Sequence, residues 1–105
     1  MNKFDRPGEL LLGLFLGTEI LGICGLNKDC YIADPTIGRI RHLYVLPMQR
    51  RKGYASILIH AVIGAARQNF TTIRLYTDNP DAFKFYQSLG FQQSDVYKAT
   101  HYMIL

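Results

Sequence analysis

Cysteine is scarce in this sequence, since Cys24 and Cys30 are the only two among its 105 residues. Two cysteines do not make the disulfide framework of a small secreted domain, although they could form one bridge, and a reduced, cytoplasmic setting is expected. Charged residues are modest at 19% and hydrophobic residues reach 49%, a balance that excludes a disordered or low-complexity chain. A chain of this length is expected to form a single domain, over residues 1–105, around one core.

Long uninterrupted hydrophobic runs are absent as well. Residues 10–26 are mostly apolar, but Glu19 lies in their middle and four glycines break them: Gly13, Gly17, Gly22 and Gly25. A membrane-spanning helix requires about 20 predominantly apolar residues, and no signal-peptide cleavage pattern follows a basic start. The segment therefore predicts two buried strands joined by a turn at residues 17–19, and no membrane partner is expected.

Two common phosphate-binding motifs and the spacing of a metal site are missing too. Neither G-x-x-x-x-G-K-[ST] nor G-x-G-x-x-G occurs, which argues against P-loop and dinucleotide-binding proteins of those types. His60 in a predicted helix and His101 in a predicted strand have no cysteine or carboxylate at ligand spacing. A metal cofactor is therefore not expected.

The sequence does contain an alternation of strand and helix patterns. Short apolar runs bounded by turn residues predict strands at residues 9–16, 20–26, 37–46, 71–77, 91–93 and 99–105. Apolar residues at three- and four-residue spacing predict a helix at 54–68. A second helix is expected to have Asn79 as its N-cap, Pro80 at its first position and Gly90 as its stop. A strand, a helix and another strand in succession imply a parallel crossover in a mixed α/β sheet.

The loop before the first predicted helix is strongly basic. The chain carries a formal net charge of +4, and Arg50, Arg51 and Lys52 are consecutive and are followed by Gly53. The N–H groups at a helix start favour negative charge, and glycine permits a close backbone approach. The loop therefore suits an anion such as a pyrophosphate, while charge alone leaves a solvated loop that caps a strand as an equal alternative.

Two segments resemble the signatures of the GNAT N-acetyltransferase superfamily. Residues 45–55, VLPMQRRKGYA, are similar to its acetyl-CoA signature V-x-P-x-x-[RQ]-x-x-G-x-[GA]. Residues 79–91, NPDAFKFYQSLGF, are similar to its N-x-x-A-x-x-[LF]-Y-x-x-x-G-F segment. The resemblance implies an α/β fold with a mixed, mostly antiparallel sheet, a central parallel pair of strands that splay apart, and flanking helices.

The resemblance also implies where acetyl-CoA would bind as co-substrate. The strand that ends in V-x-P would carry a bulge, and main-chain groups around Leu43 and Val45 would hydrogen-bond the pantetheine arm and the acetyl carbonyl. Asn79 would contact the pantetheine region, and a simple N-cap role is compatible with this. The pyrophosphate would be bound by the basic loop and the first helical turn: Arg50, Arg51, Lys52, Gly53, Tyr54 and Ala55.

For the reaction, the resemblance implies an N-acetyltransferase that transfers acetyl directly to an amine, with neither cysteine needed as a nucleophile. Tyr86 matches a tyrosine whose hydroxyl protonates the departing thiolate; the alternative is a half-buried aromatic residue. Relatives often use a glutamate as general base on the strand before the basic loop. That strand has no carboxylate here but offers His42, whose residue type titrates near neutral pH. A structural role for His42 is the alternative, and Asp78 or a water chain would be other bases.

The chain departs from the superfamily pattern before the hairpin, where an additional strand and two helices are usual. Those elements build much of the acceptor wall, so the sequence does not identify the amine acceptor, a small molecule or a peptide. A naturally short member, a fragment, or a protomer whose missing wall comes from a partner subunit would each explain this departure, and the sheet edge left exposed favours a homodimer. The alternative function is a non-catalytic acyl-CoA-binding or regulatory module that acts through a protein partner. Nucleic-acid binding is disfavoured because aromatic residues are not interleaved with the arginines.

Overall fold

The computed structural model describes residues 8–105 of the chain. In chain order its elements are β1 (Leu10–Leu16), β2 (Glu19–Lys28), β3 (Ile37–Val45), a short 3-10 helix (Pro47–Gln49), α1 (Tyr54–Ala66), β4 (Thr72–Leu75), α2 (Pro80–Ser88), β5 (Gln92–Gln93) and β6 (His101–Ile104). The six strands form one sheet of order β1-β2-β3-β4-β6-β5. All neighbours are antiparallel except β3 and β4, which confirms the predicted mixed α/β fold class.

Nearly every residue of β1 is apolar, and partly buried positions alternate with exposed ones along most of the strand. Leu10, Leu12 and Leu14 pack against the core, and the antiparallel register places Leu12 opposite the fully buried Cys24. The chain reverses through Gly17 at a φ of 62°, a left-handed conformation that glycine adopts at little steric cost. In residues 8–105, no helix is long and apolar enough to cross a membrane.

The central parallel pairing of β3 with β4 is short. Its partners are Ile37 with Thr72, Gly38 with Ile73, and Arg39 with Arg74. Beyond them β3 continues to Val45, whereas β4 ends at Leu75. The two strands therefore separate and leave a gap in the middle of the sheet, as the predicted splayed pair requires.

Helix α1 packs against β1, β2 and β3. Its buried residues recur at three- and four-residue spacing: Leu58, Ile59, Val62, Ile63 and Ala66. Burial of each leucine, isoleucine or valine side chain in this set contributes roughly 1.5–3 kcal/mol. The helix ends at Ala66, before the predicted residue 68, because the hydrogen bonds shift there to carbonyls three residues back. The Gln68 N–H donates to Ala65 at 3.3 Å and the Asn69 N–H donates to Ala66 at 3.1 Å, and the buried Phe70 then packs in the core.

Strand β4 is shorter than the predicted 71–77, whereas the start of α2 agrees with its prediction. The Thr77 N–H donates to the Thr100 side-chain oxygen at 3.1 Å instead of joining the ladder. The Asn79 side chain accepts a hydrogen bond from the Asp81 N–H at 3.0 Å, with Pro80 at the first helical position. This confirms the predicted cap.

Candidate functional site

A β-bulge at His42 and Leu43 lies where β3 leaves β4. The register of β2 with β3 shifts between Ile23 and Gly25, so two residues of β3 lie opposite Cys24 alone. His42 has a φ of 57°, which is uncommon for a residue other than glycine. A bulge bends its strand and disrupts the ladder locally. The bulge implied by the family resemblance is therefore present.

The gap between the separated strands forms a cavity of about 230 Å³, called the splay cavity below. Its lining residues are Ile40, Arg41, His42, Leu43, Leu75, Tyr76, Thr77 and Tyr86. This set brings together three residues that were predicted for the site, namely His42, Leu43 and Tyr86. Among residues 8–105, no carboxylate side chain lines the splay cavity.

Helix α2 presents Tyr86 to the splay cavity. The Tyr86 ring packs edge-on against Phe85 and Phe91, with centroid distances of 5.1 and 5.7 Å, and only 8% of the residue is exposed. Burial raises the pKa of Tyr86 to about 12, and the neighbouring Cys24 adds to this effect. The hydroxyl therefore stays protonated at neutral pH, which makes it a hydrogen-bond donor.

Both cysteines are free, so the single bridge left open by the sequence is not formed. Cys24 is fully buried, and this burial raises the pKa of its thiol to about 12. A nucleophilic cysteine requires a lowered pKa and access to substrate, and Cys24 has neither. Cys30 is exposed and is not among the lining residues of the splay cavity.

The basic loop and the start of α1 line a second cleft of about 360 Å³, called the loop cleft. Its lining residues are Val45, Gln49, Arg50, Arg51, Gly53, Tyr54, Ala55 and Phe85. Arg51 and Gly53 have φ values of 65° and 83°, and such left-handed turns group backbone N–H donors into a concave anion site. A methyl group at Gly53 would meet no atom within 4 Å, so the backbone is open to a ligand there. The donors and cations of this cleft fit a pyrophosphate.

Arg50 braces the end of β3 as well as lining the loop cleft. Its Nε donates to the Val45 carbonyl at 2.9 Å, and its guanidinium lies 5.3 Å from the centre of the Tyr44 ring. The Leu46 N–H donates to Leu21 of β2 at 3.0 Å, so the Val45 carbonyl points to the opposite edge, towards the gap. Arg50 thus already occupies one main-chain acceptor on the edge where the pantetheine arm was predicted to bind.

Three predicted residues lie outside both cavities. Lys52 donates from Nζ to the Gln49 side chain at 3.0 Å on the surface. Asn79 caps α2, and its N–H donates to the Thr77 side chain at 3.2 Å. Asp78, an alternative base, is exposed and lines neither the splay cavity nor the loop cleft.

The two remaining histidines are held by local contacts. His60 is exposed, and its Nδ1 lies 2.9 Å from the Ser56 carbonyl. His101 is fully buried, with Nδ1 2.9 Å from the Thr100 hydroxyl, and burial lowers the pKa of its ring. In the part of the chain that the structure describes, no three His, Cys, Asp or Glu side chains are grouped to hold a metal ion.

A buried ion cluster next to the splay cavity was not predicted. The Asp29 carboxylate is completely buried and lies 3.2 Å from the Nε atoms of both Arg39 and Arg74. It also accepts the Tyr31 N–H at 2.9 Å. The sequence offers no signal for this cluster, because Asp29 precedes β3 in a polar turn and its partners lie on two different strands.

Comparison with known proteins identifies the family of this chain. The model of the acetyltransferase (GNAT) family matches residues 2–91. The chain belongs to the GNAT acetyltransferase family. This confirms the family resemblance of the two motifs, whereas no curated protein sequence matches the chain.

Solved structures share this GNAT fold. A candidate acetyltransferase from Exiguobacterium sp. 255-15 is 32% identical, with a TM-score of 0.85 over 96% of this chain and 66% of that one. PaiA N-acetyltransferase from Thermoplasma acidophilum, in complex with coenzyme A, is 23% identical, with a TM-score of 0.70 over 90% of this chain and 58% of that one. A candidate streptothricin acetyltransferase from Bacillus anthracis str. Ames, in complex with acetyl coenzyme A, is 21% identical, with a TM-score of 0.80 over 96% of this chain and 65% of that one. The chain thus spans 58–66% of the length of these structures.

Proposed function

We propose that this chain is an acetyl-CoA-dependent N-acetyltransferase, in one domain over residues 1–105, that transfers acetyl directly to an amine. The observation that carries the proposal is the succession of two cavities along one strand. Leu43 lines the splay cavity, and Val45, two residues later on β3, lines the loop cleft. A ligand with an anionic end and a reactive end on one extended arm fits this arrangement. PaiA N-acetyltransferase, which shares the fold, is in complex with coenzyme A.

The chain's own groups would hold acetyl-CoA mainly through its backbone. When bound, acetyl-CoA supplies an acetyl thioester. In the proposal, Leu43 and the Val45 N–H bind the pantetheine arm, since Arg50 already donates to the Val45 carbonyl. Asn79, at the start of α2, contacts the pantetheine region. The pyrophosphate is bound by the basic loop and the first turn of α1: Arg50, Arg51, Lys52, Gly53, Tyr54 and Ala55.

The proposed transfer needs a group that accepts the amine proton and a group that stabilises the departing sulfur, and the splay cavity offers one residue for each role. The amine nitrogen bonds to the acetyl carbon and the carbon–sulfur bond breaks, so one proton leaves the amine and the sulfur must be stabilised. His42 accepts the amine proton, directly or through water. Tyr86 donates a hydrogen bond to the departing sulfur, and both side chains line the same cavity.

The acidity of Tyr86 limits what its hydroxyl does. Burial raises its pKa to about 12, whereas a free thiol has a pKa of about 8.5. Complete proton transfer from Tyr86 to a thiolate is therefore uphill. Tyr86 is accordingly proposed to stabilise the sulfur through a hydrogen bond in the transition state, with solvent supplying the final proton.

A thiol-release assay tests this function. Acetyl-CoA is mixed with the protein and a panel of primary amines, and free coenzyme A thiol is measured against time. Amine-dependent release is expected, with matching mass-spectrometric detection of the N-acetylated amine. The absence of release with every amine, in a preparation that binds acetyl-CoA, would contradict catalysis.

That negative result would instead favour the second candidate function, a non-catalytic acyl-CoA-binding module that acts through a protein partner. The observation in its favour is the lack of a carboxylate base: within residues 8–105, neither the splay cavity nor the loop cleft is lined by Asp or Glu. Such a module would bind acetyl-CoA without consuming it.

A cytoplasmic homodimer is the proposed form of the protein. Large apolar side chains on the hairpin are exposed, including Phe15 at 59% and Leu16 at 67%, and exposed apolar patches favour association. Sedimentation over a hundredfold range of protein concentration is expected to show a dimer mass. A monomer mass at all concentrations would contradict the dimer.

A further inference from the structure

A third cleft, of about 290 Å³, opens beside the splay cavity, and we call it the side cleft. Its lining residues are Tyr31, Arg39, Ile40, Arg41, His42, Tyr76 and Lys98. Four of these residues also line the splay cavity: Ile40, Arg41, His42 and Tyr76. A molecule in the side cleft therefore has direct access to the proposed site of acetyl transfer. The volume is at the lower end of small-molecule pockets, which run from about 300 to 1,000 Å³.

The side cleft is strongly cationic. Arg39, Arg41 and Lys98 line it, and among residues 8–105 no acidic side chain does. The Asp29 carboxylate beneath it is completely buried, is hydrogen-bonded to Arg39 and is paired with Arg74. Arg74 and the three lining cations carry four positive charges, and Asp29 carries one negative charge. The group therefore has a surplus of three positive charges. A surplus of this kind attracts anions and repels cationic ligands.

The cations of the side cleft differ in how firmly hydrogen bonds hold them. Arg39 is pinned, because its Nε donates to Asp29 at 3.2 Å and its Nη2 donates to the Lys98 carbonyl. Burial lowers the pKa of Arg39, Asp29 opposes this, and the positive charges of Arg74 and Arg41 lower it further. Arg39 therefore forms a fixed positive floor.

Lys98 and Arg41 form the wall of the side cleft. The Lys98 Nζ lies 5.8 and 5.6 Å from the ring centres of Tyr31 and Tyr97, and these two rings pack edge-on at 5.9 Å. The Lys98 backbone has a φ of 60°, a conformation that persists in a lysine only when its surroundings enforce it. Arg41 reaches the exposed Cys30 thiol at 3.9 Å, a weak contact that an anion would replace. The Lys98 ammonium and the Arg41 guanidinium can therefore each donate a charge-assisted hydrogen bond to an anionic ligand.

We propose that the side cleft binds the acceptor, and that this acceptor is a small amine which also carries an anionic group, a carboxylate or a phosphate, bound by Arg41 and Lys98. This inference rests on the proposed function and specifies its substrate class. Polycationic amines are excluded as good acceptors, because the side cleft repels them. Nearby positive charge also favours the neutral form of the amine, which is the form that attacks a thioester.

The test uses matched pairs of amines that differ in the anionic group. The carboxylate pairs are amino acids against their carboxamides, the phosphate pair is O-phosphoethanolamine against ethanolamine, and spermidine represents polycations. Thiol release gives kcat/KM for each amine. The variants are Lys98→Gln and Arg41→Gln, and the matched controls are Lys84→Gln on α2 and Arg67→Gln after α1, both exposed and away from the side cleft.

At least a tenfold higher kcat/KM is expected for the anionic member of a pair. The pair that shows it tells whether a carboxylate or a phosphate is bound. The preference is expected to disappear in Lys98→Gln and Arg41→Gln and to persist in both controls. Preference for carboxamides or spermidine, or a preference that survives both cleft substitutions, would overturn the proposal.

A binding experiment distinguishes a failure of this proposal from a failure of the proposed function. Calorimetric titrations of the coenzyme A-saturated protein compare N-acetyl amino acids with their carboxamides, and N-acetyl-O-phosphoethanolamine with N-acetylethanolamine. Absent thiol release with every amine, together with anion-selective binding that Lys98→Gln abolishes, would refute catalysis and keep the anion site. Equal or absent binding of the charged and neutral partners would refute the anion site even in an active enzyme.

Discussion

The loop cleft and the side cleft differ in how they are built. The loop cleft comes largely from one continuous segment, residues 45–55, and offers backbone donors around Gly53. The side cleft combines side chains that lie far apart in the chain, among them Tyr31, Arg41, Tyr76 and Lys98. Backbone donors of a local turn suit a ligand that many proteins share, whereas side chains from distant segments change independently. Cofactor binding and acceptor choice are therefore expected to respond to different substitutions.

The largest effect is expected at the ion cluster beneath the side cleft. Asp29→Ala leaves the buried Arg39 and Arg74 without their carboxylate, and breaking a buried ion pair costs about 3–5 kcal/mol. Urea unfolding of the variant is expected to show that loss in the free energy of unfolding. The control Asp95→Ala removes an exposed carboxylate and is expected to change it by less than about 0.5 kcal/mol.

Equal losses from Asp29→Ala and Asp95→Ala would contradict the role of this cluster. Where the alanine variant does not fold, Asp29→Asn provides the measurement, since an amide keeps the shape and loses the charge. This variant is expected to be less stable than the wild type and more stable than Asp29→Ala.

The next effect separates chemistry from binding at the splay cavity. Tyr86→Phe removes one hydroxyl, and loss of such a donor lowers kcat by about a hundredfold. The dissociation constant of acetyl-CoA is expected to stay within about twofold, because the ring still packs against Phe85 and Phe91. Steady-state kinetics and calorimetry measure the two quantities, and an unchanged kcat would remove Tyr86 from the mechanism.

A smaller effect tests the independence of the loop cleft and the side cleft directly. Arg51→Gln removes one cation from the loop cleft, and a hydrogen bond to a charged group contributes about 1.5–3 kcal/mol, so the dissociation constant of acetyl-CoA is expected to rise at least tenfold. Lys98→Gln in the side cleft is expected to leave this constant unchanged. Similar increases in both variants would show that the two clefts are not separate sites.

The smallest effect is expected in the pH dependence of the free energy of unfolding, where the buried Cys24 differs from the exposed Cys30. Burial raises the pKa of Cys24 from 9.0 to about 12, so between these values the unfolded chain loses a proton that the folded chain keeps. The contribution of Cys24 to the free energy of unfolding is therefore fully present below pH 9. It falls by about 1.4 kcal/mol per pH unit as the pH rises towards 12. Above pH 10, the raised pKa of Tyr86 adds a second loss of the same sign.

Urea unfolding from pH 8 to pH 10 measures the Cys24 contribution. Cys24→Ala is expected to flatten the decline between pH 9 and pH 10, whereas Cys30→Ala, at the exposed cysteine, is expected to leave it unchanged. The same slope in both variants would contradict the account of Cys24.

The loop cleft could be predicted from the sequence because its determinants are local. Val45, Pro47 and Gly53 fall at fixed intervals that set a strand end, a turn and a helix start, and Asn79 with Pro80 specifies the start of α2. These features depend on neighbouring residues alone. They also placed Tyr86 within a helix, and the structure has it in α2.

The side cleft could not be predicted because its partners meet only in the folded sheet. Asp29 lies 10 residues from Arg39 in the sequence and far from Arg74, and the register of β3 with β4 brings them together. Arg39 and Arg41 interrupt an apolar strand pattern, and that pattern does not tell which cation will be buried. The contribution of Lys98 depends on a loop that packs across the strand ends.

The most direct test of the central claim, that the loop cleft binds the anionic part of acetyl-CoA, is a calorimetric titration of the purified protein with acetyl-CoA. Saturable binding at one site is expected. It should be lost in Arg51→Glu combined with Gly53→Pro and kept in Arg67→Glu, an exposed charge reversal outside the loop cleft. Circular dichroism and urea unfolding check that the double variant is folded. No binding by the wild type, or undiminished binding by a folded double variant, would show that the loop cleft does not bind the anionic part of acetyl-CoA.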